Sequence, residues 1–233
     1  MKAGRRETCY CCDALATSRE HVPAKALYPE LKDSPGGVNY RATLATVPSC
    51  DKHNTHKSRD DEFLMYILTM TEGANAVGQL QIPKILRSLQ RRPALMQRIL
   101  ESATPALVKD RNTGRLAEPA GFRIDLERID RAMELIAKGV YFLYRGAKLL
   151  GSPRVVMVQF ARADGSFSQR RWRESCESVN LLFDGSDPLG TQPDVFFAQI
   201  IEPPSGVLIR LVFYGASTVV VAFSAEAIVS EIG

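Results

Sequence analysis

The sequence predicts an α+β protein with an N-terminal strand–strand–helix module, a central helical region and a C-terminal antiparallel β-sheet. Three observations predict this class. All three histidines and four of the five cysteines lie between residues 9 and 58. Apolar residues then recur at helical spacing from 126 to 143, and β-branched segments separated by turn residues follow residue 151. We therefore divide the chain into segments 1–62, 63–150 and 151–233.

Composition and charge limit the possible classes of protein. A chain of 233 residues with 45% hydrophobic content is typical of a folded protein, and a net charge of +4 is compatible with a polyanionic partner. The start, MKAGRRET, lacks the apolar core of a secretory signal. The longest apolar stretch is interrupted by Arg210 and a turn, which favours a hairpin over a membrane span. We expect a cytoplasmic protein without membrane association, whose cysteines bind metal and do not form disulfides.

The elements follow in order along the chain. A first strand ends before Pro23, and a second covers Tyr40–Val47 and is stopped by Pro48. A helix begins near Cys50 and continues into segment 63–150, where prolines separate short helices. Asp125 is a candidate cap for a longer helix. The core-facing stripe of that helix is Leu126, Ile129, Met133, Ile136, Val140 and Leu143.

Two short motifs predict a structural zinc site. Cys9-x-x-Cys12 and Cys50-x-x-His53 supply four ligands from two knuckles, the usual set for a closed tetrahedral zinc ion. A module of about 50 residues buries only a small hydrophobic core, so a bound metal ion is expected to supply part of its stability. Cys11, inside the first knuckle, is an alternative ligand to Cys12.

The segment EHVP lies between these two motifs, and the segment CDKHNTHKS contains the second motif and continues beyond it. With these segments, residues 9–62 resemble the HNH endonucleases, in particular stand-alone bacterial proteins with a ββα-metal fold. The resemblance implies that His21 is the general base that activates water. It also implies that Glu20 and Asn54 hold one divalent cation, Mg²⁺ or Mn²⁺, while the enzyme hydrolyses phosphodiester bonds in DNA. A role in bacterial defence follows only by association with such proteins.

The chemistry of these residues fits phosphodiester hydrolysis. Histidine is the side chain whose unperturbed pKa lies near neutral pH, so it can accept a proton from water there. A carboxylate and an amide oxygen are ligands that Mg²⁺ accepts while it keeps several waters. The bound cation supplies charge stabilisation for the departing oxygen.

The sequence departs from the family pattern at two places. Ala45 stands where the family has an asparagine nine residues before Asn54, and His53 replaces a zinc cysteine. Thr43, predicted on the same strand face as Ala45, and Lys57 are interpreted as substrate contacts. A solvated lysine is an equal alternative for Lys57.

Two other functions remain open at this point. Ala45 motivates a catalytically weakened, zinc-containing module that binds nucleic acid or protein, and an RNA-directed nuclease fits the same motif. One such site cuts a single strand, so double-strand cleavage would require a homodimer, sequential nicks or an activating partner protein. Two basic runs, Lys84–Lys109 and Arg170–Arg173, are candidate nucleic-acid contacts.

Overall fold

The computed structural model combines helices with antiparallel sheets, which confirms the α+β class. Predictions about Lys57 and Arg170–Arg173 lie outside the described residues, and the three-part division of the chain stays a prediction. The structure describes residues 7–54, 58–71, 73–94, 97, 101, 103–105, 108–109, 116–117, 120–122, 125–157 and 178–229.

The N-terminal segment contains a two-stranded antiparallel sheet followed by two helices. Strand β1 (Ser18–His21) pairs with β2 (Thr46–Ser49), so that His21 lies opposite Thr46. Helix α1 (Asp51–Asn54) follows at once, and α2 (Ser58–Thr69) packs against the long helix described below. The order along the chain is strand, strand, helix.

The second strand differs from its prediction in two respects. It begins at Thr46, because residues 40–43 form a turn, and Thr43 therefore is not on a strand. Pro48 lies inside the strand and does not end it. Among the described strands β2 pairs only with β1, and the Pro48 carbonyl accepts the Tyr10 N–H on the other side at 2.8 Å, so the missing N–H of proline need not cost a ladder hydrogen bond.

The segment predicted as helical also contains short strands. Helix α3 (Ala76–Gln79) precedes α4 (Ile82–Arg91), and Pro83 opens α4 because the first turn needs no N–H donor there. The two helices are separate, as the prolines predict, and Pro83 lies just after the break, in the first turn of α4. Two antiparallel pairs follow: β3 (Ala103–Pro105) with β6 (Ala120–Phe122), and β4 (Val108–Lys109) with β5 (Leu116–Ala117).

The long helix α5 (Leu126–Arg145) is confirmed together with its cap. The Asp125 carboxylate accepts the backbone N–H of Arg128 at 3.2 Å, and Gly146 ends the helix at φ 67°. Its buried stripe contains four of the six predicted residues, namely Ile129, Met133, Ile136 and Val140.

The C-terminal part is a five-stranded antiparallel sheet. Its order is β8-β12-β11-β10-β9, and α5 packs against β12 and β8. A separate pair joins β7 (Lys148–Leu149) to β13 (Ile228–Val229). The five strands are β8 (Arg154–Met157), β9 (Leu189–Gln192), β10 (Phe196–Ile201), β11 (Gly206–Phe213) and β12 (Ser217–Ser224).

The β11–β12 turn anchors this sheet to the loop that follows β1. Tyr214, in the turn, is completely buried, and its hydroxyl donates to the Leu27 carbonyl at 2.5 Å. Its ring fills space beside Gly78, where a Cβ atom would come within 2.9 Å of it. The sheet is thus held directly against the N-terminal segment. None of the helices in the described residues has the length and apolarity that a membrane crossing demands.

Candidate metal centre and active site

Four side chains converge as the paired motifs predict. The Sγ atoms of Cys9, Cys12 and Cys50 and the Nδ1 atom of His53 all lie within 4.8 Å of one another. The Nδ1 atom is 3.4 Å from Cys9, 3.6 Å from Cys12 and 3.3 Å from Cys50, and the Sγ atoms of Cys12 and Cys50 are 3.9 Å apart. This confirms a cluster that could hold a metal ion.

The dimensions of the cluster match a zinc tetrahedron. With usual zinc bond lengths, ideal tetrahedral ligands are separated by about 3.8 Å for two sulfurs and about 3.6 Å for a sulfur and a nitrogen. The observed separations of 3.9 Å and of 3.3 to 3.6 Å are close to these values. Soft thiolates with one imidazole also select zinc over hard cations such as Mg²⁺.

Local backbone structure brings the two knuckles into position. The first lies in a tight loop where the Cys9 N–H donates to the Ala14 carbonyl at 2.8 Å. The second is one helical turn, in which the His53 N–H donates to the Cys50 carbonyl at 3.0 Å. Residues three apart on a helix share a face, so Cys50 and His53 point the same way.

The structure decides between the two candidate cysteines of the first knuckle. Cys12 belongs to the cluster and Cys11 does not. Burial raises the pKa of Cys11 to about 11, so it stays a neutral thiol at neutral pH. Cys11 instead joins the hydrophobic core.

Two buried lysines, Lys148 and Lys138, lie near the candidate metal site. Zn²⁺ with three thiolates and a neutral imidazole carries a net negative charge, which needs a counterion where solvent is excluded. Lys148 is only 3% exposed, and its Nζ donates to the Cys12 carbonyl at 3.2 Å and to the Thr8 hydroxyl at 2.7 Å. Burial is the main cause of a lowered pKa of His53, and the charges of Lys52 and Lys138 lower it further. Lys138, 5% exposed, is itself paired with Glu134 at 2.6 Å, and the charge of Glu134 opposes the effect.

A hydrogen-bond chain fixes Asn54 beside β1. The Asn54 Nδ2 donates to the Ser18 hydroxyl at 2.7 Å, and that hydroxyl donates to the Ser49 carbonyl at 3.3 Å. The amide nitrogen is therefore held toward Ser18. Since side chains alternate along a strand, Ser18 and Glu20 share one face of β1, and Asn54 lies over that face.

Glu20 and His21 are adjacent at the end of β1 but differ in environment. Glu20 is buried, at 7% exposure, whereas His21 is partly exposed and occupies the last position of the strand. Alternation directs His21 to the face opposite Glu20. Burial lowers the pKa of the His21 imidazole, and the charges of Lys25 and Arg41 lower it further against the opposing charge of Glu20.

The sequence motifs do not reveal two polar residues of this region, Tyr10 and Asp61. Tyr10 is completely buried, and its hydroxyl has no hydrogen-bond partner among the residues that the structure describes. Burial holds the pKa of Tyr10 well above its ordinary value, and the charges of Glu20 and Asp61 add to the effect. Two carboxylates, Glu20 and Asp61, thus lie near the protonated phenol of Tyr10. The DDE run of α2 was the only sequence signal for Asp61.

The remaining predicted residues are placed differently. Thr43 is exposed in the turn before β2, and its carbonyl accepts the Thr191 hydroxyl at 3.1 Å. The Ala45 carbonyl accepts the backbone N–H of Val22 at 3.1 Å, next to His21. A main-chain hydrogen bond to Ala45 therefore braces the loop after His21.

Comparisons with protein-family models, with curated proteins and with solved structures found no match for this chain.

Proposed function

We propose that the chain is a metal-dependent HNH-type endonuclease that hydrolyses phosphodiester bonds in DNA. Its structural zinc ion would be held by Cys9, Cys12, Cys50 and His53. The observation that carries the proposal is the position of Asn54. It directly follows the cluster residue His53 and is hydrogen-bonded to β1 two residues before Glu20.

The zinc cluster supports the proposal because it orders two loops that lack a large core of their own. It connects the N-terminal knuckle to α1 and so fixes α1 against β1. Thr17 adds a second tie, because its hydroxyl donates to the Asp51 carboxylate at 2.7 Å. A residue on α1 and a residue on β1 can then act together with little reorganisation, which is what catalysis requires of its ligands.

The donor set of Glu20 and Asn54 suits a hard divalent cation. A carboxylate and an amide oxygen are typical Mg²⁺ or Mn²⁺ ligands, and the Asn54 nitrogen is already occupied by Ser18. The amide oxygen is then the atom that faces away from Ser18. When bound, the cation would polarise the phosphodiester and stabilise the departing oxygen.

His21 suits the role of general base. Its lowered pKa leaves the imidazole neutral at neutral pH, so it can accept a proton from water. An in-line displacement places the attacking water and the departing oxygen on opposite sides of the phosphorus. Adjacent strand residues project to opposite faces, so Glu20 and His21 can serve the two sides of one phosphodiester at the end of β1.

The test is conversion of supercoiled plasmid to the nicked form by zinc-loaded protein, with Mg²⁺, Mn²⁺ or no added cation. We expect nicking only with the added cation, and strong loss in Glu20→Ala and Asn54→Ala. Lys52→Ala, on the exposed side of α1, is the matched control and should cleave as the wild type does. Plasmid that stays intact with every cation, while the protein binds it, would favour a binding module. Cleavage of RNA alone would favour the RNA-directed alternative.

A further inference from the structure

A group of cations surrounds one carboxylate in the loop that follows His21. Glu30 lies 2.8 Å from the Lys32 Nζ, 3.6 Å from the Arg41 guanidinium and 3.9 Å from the Lys84 Nζ. We refer to these four residues as the Glu30 cluster. Three positive side chains around one carboxylate leave two positive charges in excess within the cluster.

Backbone carbonyls hold two of these cations in place. The Arg41 Nε donates to the Tyr28 carbonyl at 2.9 Å, and the Lys84 Nζ donates to the Ala26 carbonyl at 3.2 Å. Both side chains are largely buried, at 20% and 23% exposure. Burial lowers the pKa of Lys84, and the neighbouring charge of Arg41 lowers it further against the opposing charges of Glu30, Asp33 and Glu62. Like charges are thus crowded in a fixed arrangement, which an anion would relieve.

Other basic residues of the same region are neutralised one to one. The Arg87 Nη2 donates to both oxygens of Asp33, at 3.0 and 2.8 Å. Arg92 donates to Glu62 at 2.5 Å. These pairs need no further anion. Of the predicted basic run, Arg87 and Arg92 therefore belong to structural ion pairs, whereas Lys84 belongs to the Glu30 cluster.

One member of the Glu30 cluster, Arg41, also lies near the proposed catalytic histidine. The 22–45 loop that carries Lys25, Glu30 and Arg41 starts directly after His21 and returns to Thr46, its partner across the sheet. Lys25 and Arg41 lie near enough to contribute to the electrostatic environment of the His21 imidazole.

We infer that the Glu30 cluster, together with Lys25, binds the phosphodiester backbone of the nucleic acid next to the scissile bond. This inference rests on the proposed nuclease function for its ligand. Arg41 and Lys84 contact phosphate oxygens, and Glu30 both orders the cations and limits the affinity. Phosphate contacts of this kind position a strand without reading its sequence.

The experiment measures binding without cleavage. Wild-type protein without added Mg²⁺ is titrated into a short fluorescein-labelled DNA duplex at several salt concentrations, and the affinity is followed by anisotropy. For duplex DNA the slope of log affinity against log salt falls by about 0.9 for each lost phosphate contact. We expect that loss in Arg41→Gln and in Lys84→Gln, while Lys84→Arg keeps the wild-type slope. Arg87→Gln, which removes a charge from a neutralised pair, is the matched control and should keep it too.

Glu30→Gln gives a test of opposite sign. Removing this carboxylate adds one net positive charge to the cluster, so the variant should bind the duplex more tightly although it loses an ion pair. If the cluster only stabilises the loop, Glu30→Gln binds no more tightly than the wild type, and that result overturns the inference. Thermal unfolding of every variant serves as the control that the fold is retained.

Failure of this inference can be distinguished from failure of the proposed function. If Arg41→Gln and Lys84→Gln both keep the wild-type salt dependence of binding, the phosphate site is overturned even if the protein cleaves DNA. The expected slopes in a protein that never cleaves support the phosphate site and reject the nuclease. The same titration with duplex RNA identifies the preferred backbone. A reduced slope of log affinity against log salt in these variants, on either duplex, supports the inference. An unchanged slope on both duplexes overturns it.

Discussion

Gly139, in the middle of α5, lies directly against Val22, the residue after His21. A Cβ atom built on Gly139 would come within 2.6 Å of the Val22 Cγ2 atom. Glycine in a helix interior costs about 1 kcal/mol relative to alanine. The close approach accounts for that cost, because only glycine leaves room for Val22. The backbone of α5 therefore sets the position of the loop that begins at His21.

Substituting Gly139→Ala should lower the free energy of unfolding. The added methyl collides with Val22, and overpacking of this kind costs about 1–3 kcal/mol, which exceeds the gain in helix propensity. Val22→Ala in the same background removes both Cγ atoms and should recover most of the loss. Urea unfolding of the two single variants and the double variant measures the coupling. Strictly additive effects would show that the contact does not constrain the loop.

Cys50→Ser should eliminate bound zinc, and Cys11→Ala should not. Cys50 contributes one of the four converging ligand atoms, whereas Cys11 lies outside the cluster. Metal analysis of purified protein should give one zinc per chain for the wild type and for Cys11→Ala. Because zinc binding in small modules is coupled to folding, Cys50→Ser should also unfold at a lower temperature. Loss of zinc from Cys11→Ala, with zinc retained in Cys50→Ser, would reverse the ligand assignment.

Ser18→Ala should weaken binding of the proposed catalytic cation. The Ser18 hydroxyl orients the Asn54 amide, so without it the amide oxygen is no longer fixed toward the cation. We expect cleavage by Ser18→Ala to require a higher Mg²⁺ concentration for half-maximal rate. Ser18→Thr keeps a hydroxyl on a strand position that favours β-branched residues, and it is the control. Equal Mg²⁺ dependence in all three proteins would remove Ser18 from this role.

The zinc ligands could be predicted from the sequence because their geometry is local. Two residues three apart in a knuckle or a helical turn point to the same side, so each motif offers two ligand atoms together. Two such motifs form a cluster when the fold brings them into contact. The Asp125 cap and the stripe of α5 are local in the same sense. Tyr10 and Asp61 are different, because they are about 50 residues apart in the chain and only the packing of α2 brings Asp61 near Tyr10.

Three other features differ from the sequence prediction because they depend on contacts between distant parts of the chain. Thr43 was placed on a strand from its alternation with neighbouring apolar residues, but the sheet begins only at Thr46. The pairing of β3 with β6 joins segments that are individually too short to show a strand pattern. Arg87 is neutralised by Asp33, whereas Lys84 donates to the Ala26 carbonyl. Both partners lie in a loop 54 to 58 residues earlier in the chain, so the difference cannot be seen in the local sequence.

Glu62 should contribute stability that is lost in acid. Burial alone would raise the pKa of Glu62, but hydrogen bonds from Arg92, Tyr66 and Ser88 outweigh it and lower the pKa. A carboxyl group with a lowered folded-state pKa stabilises the fold above its unfolded value of about 4.3, and this stabilisation disappears as pH falls through the folded pKa.

The measurement for Glu62 is the free energy of unfolding between neutral and acid pH. Glu62→Gln should be less stable than the wild type at neutral pH, and its stability should fall less steeply in acid. Glu226→Gln, at an exposed position, should follow the wild-type curve. Parallel curves for the wild type and Glu62→Gln would contradict the pKa argument.

The central claim is that His21 activates water in a zinc-stapled nuclease. The most direct measurement is the initial rate of plasmid nicking in Mg²⁺ by wild-type protein and by His21→Ala, at equal zinc content. We expect nicking by the wild type and a rate reduced by at least about 100-fold in His21→Ala, the usual scale for loss of a general base. Equal rates in the two proteins, or no nicking by zinc-loaded wild type, would contradict the claim.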